Sequence, residues 1–327
     1  MQSNRRTFLG ALSASILAPG AFAQGGGYPN APIRMIVPYA AGGGIDAVAR
    51  LLAQGMAEEL KQSFVVDNRA GAGGMVGAEA AAKAAPDGYT ILLPGNPELT
   101  ITPTLVGKAA YAPLTDFTPV VLVSQSPNVL VASAALGART MKAALEAAKK
   151  HPGGLSIGTP GNGSPQHIAV ELLRAQTGLD IVHVPYKGAA PATVAALGGE
   201  IAFALVGAPP LLPHLNSGKL VPLAVTQPKR SALLPEVPTF GEAMGVMRTE
   251  DFVAWYGVLV PAKTPAEVTQ KLEKAAFAVL ARTETRARLT ALGTDPVAMP
   301  HAPFAERMRA ESKQYADIIK KFAIKAS

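Results

Sequence analysis

Cysteine is absent from this 327-residue chain. Disulfides, thiolate metal sites, iron–sulfur clusters and cysteine nucleophiles are all excluded by that one fact. Aromatic residues are scarce at 6%, with a single tryptophan, so the cores must be built mainly from Ala, Val and Leu. The basic residues are scattered, with no Lys/Arg run interleaved with aromatics to follow a phosphate backbone, so no nucleic-acid partner is expected. After the first residues, no apolar run escapes Pro, Gly or charge long enough to cross a bilayer, which takes about 20 residues.

What is present points to a globular protein. Hydrophobic residues make up 49% and charged residues 16%, which excludes a disordered chain. The 32 Gly and 28 Pro lack the strict period of a fibrous one. At about 150 residues per domain the length suggests two domains. Net charge is +7, and two of those charges, Arg5 and Arg6, lie in an acid-free first segment, leaving 7 − 2 = +5 for the remainder. Mild basicity of that size favours an anionic ligand only weakly.

Residues 1–23 have the three parts of an export signal. Asn4-Arg5-Arg6-Thr7-Phe8-Leu9 gives a charged start, Phe8–Pro19 a short apolar stretch, and Ala21-Phe22-Ala23 a small-x-small cleavage site before Gln24. The paired arginines resemble a twin-arginine signal. A soluble, periplasmic mature protein is expected.

The body alternates β-branched runs with Ala-rich helical stretches. Strands are expected at Ile33–Val37, Phe64–Val66 and Tyr89–Leu93, with helices at Gly44–Leu60 and Met75–Ala85 between them. The pattern restarts after about residue 125. Helices at 141–150, 166–176, 191–197 and 208–217 then alternate with strands at 155–158, 181–184, 201–206 and 220–225. A strand at Tyr256–Val260 and helices at about 265–282 and 303–321 close the chain. The fold class expected is α/β, in two lobes, each a mostly parallel sheet flanked by helices. Residues 24–122 with 254–327 would form one lobe and 123–253 the other, the final elements rejoining the first.

Ligands of open parallel sheets sit beyond the C-terminal ends of the strands, at helix N-termini. Two glycine loops occupy that position. The first, Pro38-Tyr39-Ala40-Ala41-Gly42-Gly43-Gly44-Ile45-Asp46, leads from strand to helix and offers backbone N–H groups to an anion. Asp46 there either caps the helical turn or orients ligand and water. The second, Gly158-Thr159-Pro160-Gly161-Asn162-Gly163-Ser164-Pro165-Gln166-His167, adds a hydroxyl. Two such loops at equivalent places suggest one ligand gripped from both sides.

No catalytic set accompanies them. Neither loop has the GxxxxGK[ST] pattern, and Gly71-Ala72-Gly73-Gly74-Met75-Val76-Gly77 lacks the GxGxxG spacing. Ser164 is outside a GxSxG elbow. A secreted serine hydrolase using Ser164 and His167 is the rival reading, without an acid in an orienting position. His151, His167, His183, His214 and His301 lie singly in the sequence, so no metal site and no cofactor are expected.

The motifs Tyr28-Pro29-x-x-Pro32-Ile33-Arg34-x-Ile36-Val37-Pro38, Gly42-Gly43-x-x-Asp46 and Asn68-Arg69-x-Gly71-Ala72-Gly73-Gly74 occur in order. Ala85-Pro86-Asp87-Gly88-Tyr89-Thr90, Gly161-Asn162-Gly163-Ser164-x-x-His167 and His183-Val184-Pro185-Tyr186-Lys187-Gly188 follow, and Leu223-Ala224-Val225-Thr226 with Pro235-x-Val237-Pro238-Thr239 and Trp255-Tyr256-Gly257 with Pro261-x-x-Thr264-Pro265 complete the series. The series covers nearly the whole mature chain and resembles the substrate-binding proteins of tripartite tricarboxylate transporters, also called the Bug family. That resemblance implies a periplasmic Venus-flytrap receptor of the type II-like class. It would capture a small organic carboxylate and deliver it, as a monomer, to the permease subunits of a tripartite transporter. A receptor feeding a signalling partner instead is the other possibility. The family's carboxylate-binding loops match the two glycine loops, which places ligand contacts at Ala41, Gly42, Gly43, Asp46, Gly161, Asn162, Gly163, Ser164 and His167.

The chain departs from the family pattern at Ile45, at Ala195–Ala202 and at Leu205-Val206-Gly207. These positions are often polar or acidic in the family. The departures imply a less acidic, more apolar cleft, suited to a simple or aromatic carboxylate rather than an amino acid.

Overall fold

The computed structural model describes residues 27–247 and 252–324; the expected export signal lies outside them. Two sheets carry the fold. The first is built from β1 (Ile33–Val37), β2 (Phe64–Asn68), β3 (Thr90–Leu92), β4 (Phe117–Ser126), β10 (Ala254–Pro261) and β11 (Asp295–Pro300), in the order β11-β4-β10-β3-β1-β2. The second holds β5 (Asn128–Ser133), β6 (Leu155–Thr159), β7 (Ile181–Pro185), β8 (Phe203–Gly207) and β9 (Leu220–Val225), in the order β7-β6-β8-β5-β9.

The α/β class and the two lobes are as expected, but the sheets are mixed rather than mostly parallel. Only β1 with β2 and β3, and β6 with β7 and β8, pair in parallel. The reason is the path of the chain. It leaves the first sheet on β4 and enters the second on β5 after Pro127 alone, then returns on β10. Neighbouring strands that carry the chain out and back must run antiparallel, as β4 and β10 do. The two crossings are tied at the neck between the lobes. Asn128 Nδ2 donates to the Phe252 carbonyl, the Thr226 N–H to the Asn128 carbonyl at 3.1 Å, and Gln166 Nε2 to Asn128 Oδ1 at 2.7 Å.

The helices around the first sheet include α1 (Gly44–Leu60), α2 (Met75–Ala82), α3 (Thr102–Val106) and α4 (Pro113–Asp116), with a π-helical turn at Pro97–Ile101. Around the second lie α5 (Met141–Ala148), α6 (Pro165–Thr177), α7 (Ala189–Gly198), α8 (Leu212–Asn216) and α9 (Phe240–Met244). The chain ends with α10 (Ala266–Ala281), α11 (Thr283–Ala291) and α12 (His301–Lys321). The helical spacing of Val48, Leu51, Leu52 and Met56 puts these side chains on one face of α1, buried against β1, β3 and α10.

Helix α12 serves both lobes. Phe304 and Met308, in its first turns, join the first-lobe core, and Phe304 meets Trp255 edge-on at 5.1 Å. Tyr315, Ile318 and Ile319, in its last turns, pack with Leu130, Ile168 and Phe252 in the second-lobe core. Ile101 and, beside it, Leu105 of α3 reach the same cluster. Residues 301–324 therefore do not rejoin the first lobe alone, because one apolar stripe on α12 is long enough to meet both cores.

Candidate functional site

The first glycine loop runs from β1 to α1, and residues 40–44 are exposed. Gly43 is the N-cap of α1, with φ −80° and no side chain to close the helix end. The first-turn N–H groups thus have no intrahelical acceptor, and the helix dipole adds positive potential at the same place. Asp46 is 3% exposed and accepts three hydrogen bonds: from the Gly42 N–H at 2.9 Å, Arg50 Nε at 2.9 Å and Asn68 Nδ2 at 3.0 Å. Asn68 Nδ2 also donates to the Tyr39 carbonyl at 3.0 Å. Burial alone would push the Asp46 carboxyl up, but the bonds from Arg50, Gly42 and Asn68 outweigh it and hold it below the usual carboxylate range. The geometry matches neither alternative for Asp46: it accepts from the Gly42 N–H of the loop rather than from a first-turn N–H of α1, and so bends the loop into shape from behind.

The second loop is held differently. Ser164 caps α6, accepting the His167 N–H at 3.1 Å and donating its own hydrogen to the Gly161 carbonyl at 2.7 Å. The Gly163 N–H donates to His167 Nδ1 at 3.2 Å. Gly163 has φ +75°, and a Cβ there would lie 3.0 Å from Leu105 Cδ2, so only glycine fits easily. Asn162 is exposed and Gly161 partly so. The exit from β7 flanks this loop: the Tyr186 N–H bonds the Thr159 carbonyl at 3.0 Å and the Gly188 N–H the Pro160 carbonyl at 2.9 Å. Lys187 between them is exposed. It brings to the loop the cation that neither loop contains, and its only sequence signal was its place in the His183–Gly188 motif.

A Ser–His relay is not assembled. The Ser164 hydrogen goes to a backbone carbonyl, and His167 Nδ1 is occupied by a backbone donor. The structure does bring two histidines together that are separate in sequence. The rings of His167 and His183 stack at 4.3 Å and 18°, with Glu171 near enough that the three could offer ligand atoms to a metal within 4.8 Å of one another. A backbone N–H can only donate, so the bond from Gly163 leaves the neutral His167 proton on Nε2, which faces Glu171 Oε1 at 4.0 Å. His183 Nε2 is bonded to Thr159 Oγ1 at 2.7 Å. Near-parallel rings cannot both aim an in-plane lone pair at one ion. Burial pushes both imidazoles down to about 4, aided at His183 by His167 and Arg174. Both are therefore neutral near pH 7, and the trio reads as a scaffold beneath the loop.

Behind the first loop lies a carboxyl that the sequence did not reveal. Glu98, in the π-helical turn, is fully buried. Its Oε2 accepts from Tyr39 Oη at 2.7 Å and its Oε1 from the Gly95 N–H at 2.8 Å, while Tyr111 Oη donates to its carbonyl. A Cβ at Gly74 would come within 3.0 Å of Glu98, which explains a glycine of the third Gly-rich segment without a ligand. Between the lobes, Thr102 Oγ1 stands 3.9 Å from where a Cβ would sit on Gly73 and 4.0 Å from one on Gly163.

The departures from the family pattern need correction as ligand determinants. Ile45 is 6% exposed and packs in the first-lobe core; Leu205 and Val206 are 1% and 0% exposed inside the second. Their side chains fill cores and do not make the cleft more apolar.

Residues 48–324 match the family model described as tripartite tricarboxylate transporter family receptor. The chain is 38% identical over 250 residues to protein BugT of Bordetella pertussis, covering 76% of each chain. A Rhodopseudomonas palustris structure with adipate superposes with a TM-score of 0.82 at 30% identity, covering 91% of this chain and 99% of that one. MatC from the same organism, with bound malate, gives 0.76 at 30% identity, covering 89% and 100%.

Proposed function

The chain belongs to the tripartite tricarboxylate transporter receptor family, a family of periplasmic solute-binding receptors, and from that premise we propose how and what it binds. One carboxylate of a small organic acid sits on the backbone N–H groups at Gly43 and Gly44. The observation that carries this is the uncapped N-terminus of α1 at an exposed glycine loop, beyond the C-terminal end of a parallel strand. Ala41 and Gly42 shape the same loop, with Asp46 behind them. From the other lobe, Gly161, Asn162 and the capped loop around Gly163, Ser164 and His167 close on the ligand, and Lys187 meets a second negative charge. Dicarboxylates are the favoured class, because solved relatives hold malate and adipate and because the site offers one anion seat per lobe. Residues 1–23 act as the export signal, residues 24–122 and most of 254–327 form one lobe, and 123–253 the other. The loaded receptor acts as a monomer and hands its ligand to transporter permease subunits, without turning it over.

Charge-assisted hydrogen bonds contribute about 1.5–3 kcal/mol each, so three or four, less the ordering cost, support micromolar binding at about 8 kcal/mol. The test is a thermal-shift screen of malate, adipate, succinate, benzoate and aspartate, followed by calorimetry on Gly43→Val. An acid at 100 times its Kd should add about 2.7 kcal/mol of stability. A Cβ on Gly43 meets nothing nearer than the Ala40 carbonyl at 3.7 Å, and its φ suits any residue, so the variant should fold. Affinity should fall tenfold or more; undiminished affinity would move the carboxylate away from α1.

A further inference from the structure

We propose that Glu98 is a positioning residue which takes up a proton from solvent when a carboxylate binds at the first glycine loop, so that anion capture is proton-linked. This rests on the reading of the α1 N-terminus as the anion seat.

The geometry is that of a carboxyl one phenol away from the seat. Glu98 is fully buried, and its two side-chain donors are the Tyr39 hydroxyl and the Gly95 N–H. Among the described residues no Lys, Arg or His pairs with it. Tyr39 opens the first loop, and Tyr256 Oη lies 4.0 Å from where a Cβ would sit on Gly44. The titratable groups that face Glu98 are therefore the phenols of Tyr39, Tyr111 and Tyr256, each held neutral chiefly by burial and secondarily by the acid itself. From α2, Glu79 acts on Tyr111. From α12, Glu311 is spent on Asn96, Thr100 and Trp255, with Arg307 at 3.9 Å from it, and Asp116 of α4 bonds the Ala112 N–H.

Burial pushes the Glu98 carboxyl up to about 7, against the lowering effect of the Tyr39 and Gly95 bonds. A second negative charge arriving across the phenol layer, in a medium of low dielectric, raises it further. Binding near and above neutrality must then recruit a proton. The sign follows: below about pH 7 Glu98 is already neutral and affinity is flat. Above it, affinity falls by up to tenfold per pH unit until the bound form also ionises.

The experiment is titration calorimetry of the full mature chain with malate and with adipate at pH 7.5, in phosphate and in Tris, whose ionisation heats differ. Wild type should take up roughly half to three quarters of a proton per ligand, since about a quarter of the free protein already carries it at that pH, and its affinity should decline from pH 7 to 8.5. Glu98→Gln should bind with no buffer-dependent heat and a flat pH profile. If that variant does not fold, Tyr39→Phe serves: losing the phenol bond raises the Glu98 pKa, so the decline should begin at higher pH. Buffer-independent heats in wild type, or the same uptake in Glu98→Gln, would overturn the proton link while leaving the seat intact. Failure of both acids to bind at any pH, by contrast, removes the seat and the link together.

Discussion

At the scale of single residues, Asp46 is a buried carboxylate engaged by the protein itself, and under the proposed reading it would serve the anion seat without touching the anion. Its oxygens are used by Gly42, Arg50 and Asn68, so a ligand on the proposed seat would meet the backbone that Asp46 arranges. In Asp46→Asn an NH2 group replaces one acceptor and faces donors. A loss of about 1–3 kcal/mol in stability is expected, the cost of leaving buried donors unmatched. Because the native carboxyl is held below its ordinary range, its contribution is present above the unfolded carboxylate pKa and lost as pH falls through the folded value. Thermal melts of the two proteins should therefore differ at pH 7 and converge in acid. The sequence placed Asp46 and Ser164 in the glycine loops but expected a helix cap or ligand contact from the first and a ligand contact from the second, whereas Asp46 ties its loop to Asn68 of β2 and Ser164 caps α6. Glu98 was not legible in the sequence: its partner Tyr39 is 59 residues away, and only the folded sheet brings the strand ends together.

At the scale of elements, the two helices that face the site differ at their first turn. α6 begins with Ser164, whose hydroxyl caps it; α1 begins with Gly43, which caps nothing. The open end is the seat proposed for the carboxylate, while the hydroxyl at the closed end is used by the helix and its own loop. Ser164→Ala should accordingly cost about 1 kcal/mol of stability, read as a small fall in Tm, while Kd for malate or adipate changes less than in Gly43→Val. Most elements were legible from periodicity: β1, α1 and β9 coincide with the spans expected from sequence. β11 was missed because Pro296 and Pro300 interrupt it, which an edge strand tolerates. β4 carries Pro119 in the interior of the sheet, opposite Leu259 at a register shift. Neither pattern looks like a strand until its neighbours are known.

At the scale of the whole molecule, the lobes share more than a neck. Tyr315 is fully buried in the second-lobe core although its helix begins in the first. Tyr315→Ala should cost about 3–5 kcal/mol, as large aromatic truncations do. Both lobes should melt together at a lower temperature, in one calorimetric transition; two separated transitions would show that α12 does not couple them. The two chain crossings have another consequence. The segment that forms the second sheet enters at Asn128 and leaves at Phe252, and a side chain of the first holds the carbonyl of the second. Topologically this lobe is an insert whose two ends touch. Exchanging it between relatives needs two adjacent splice points at the neck and a third before Tyr315, because residues 315–324 cover its core and must travel with it. One half of the proposed ligand grip could then be inherited, lost or redesigned while the other stays as it is.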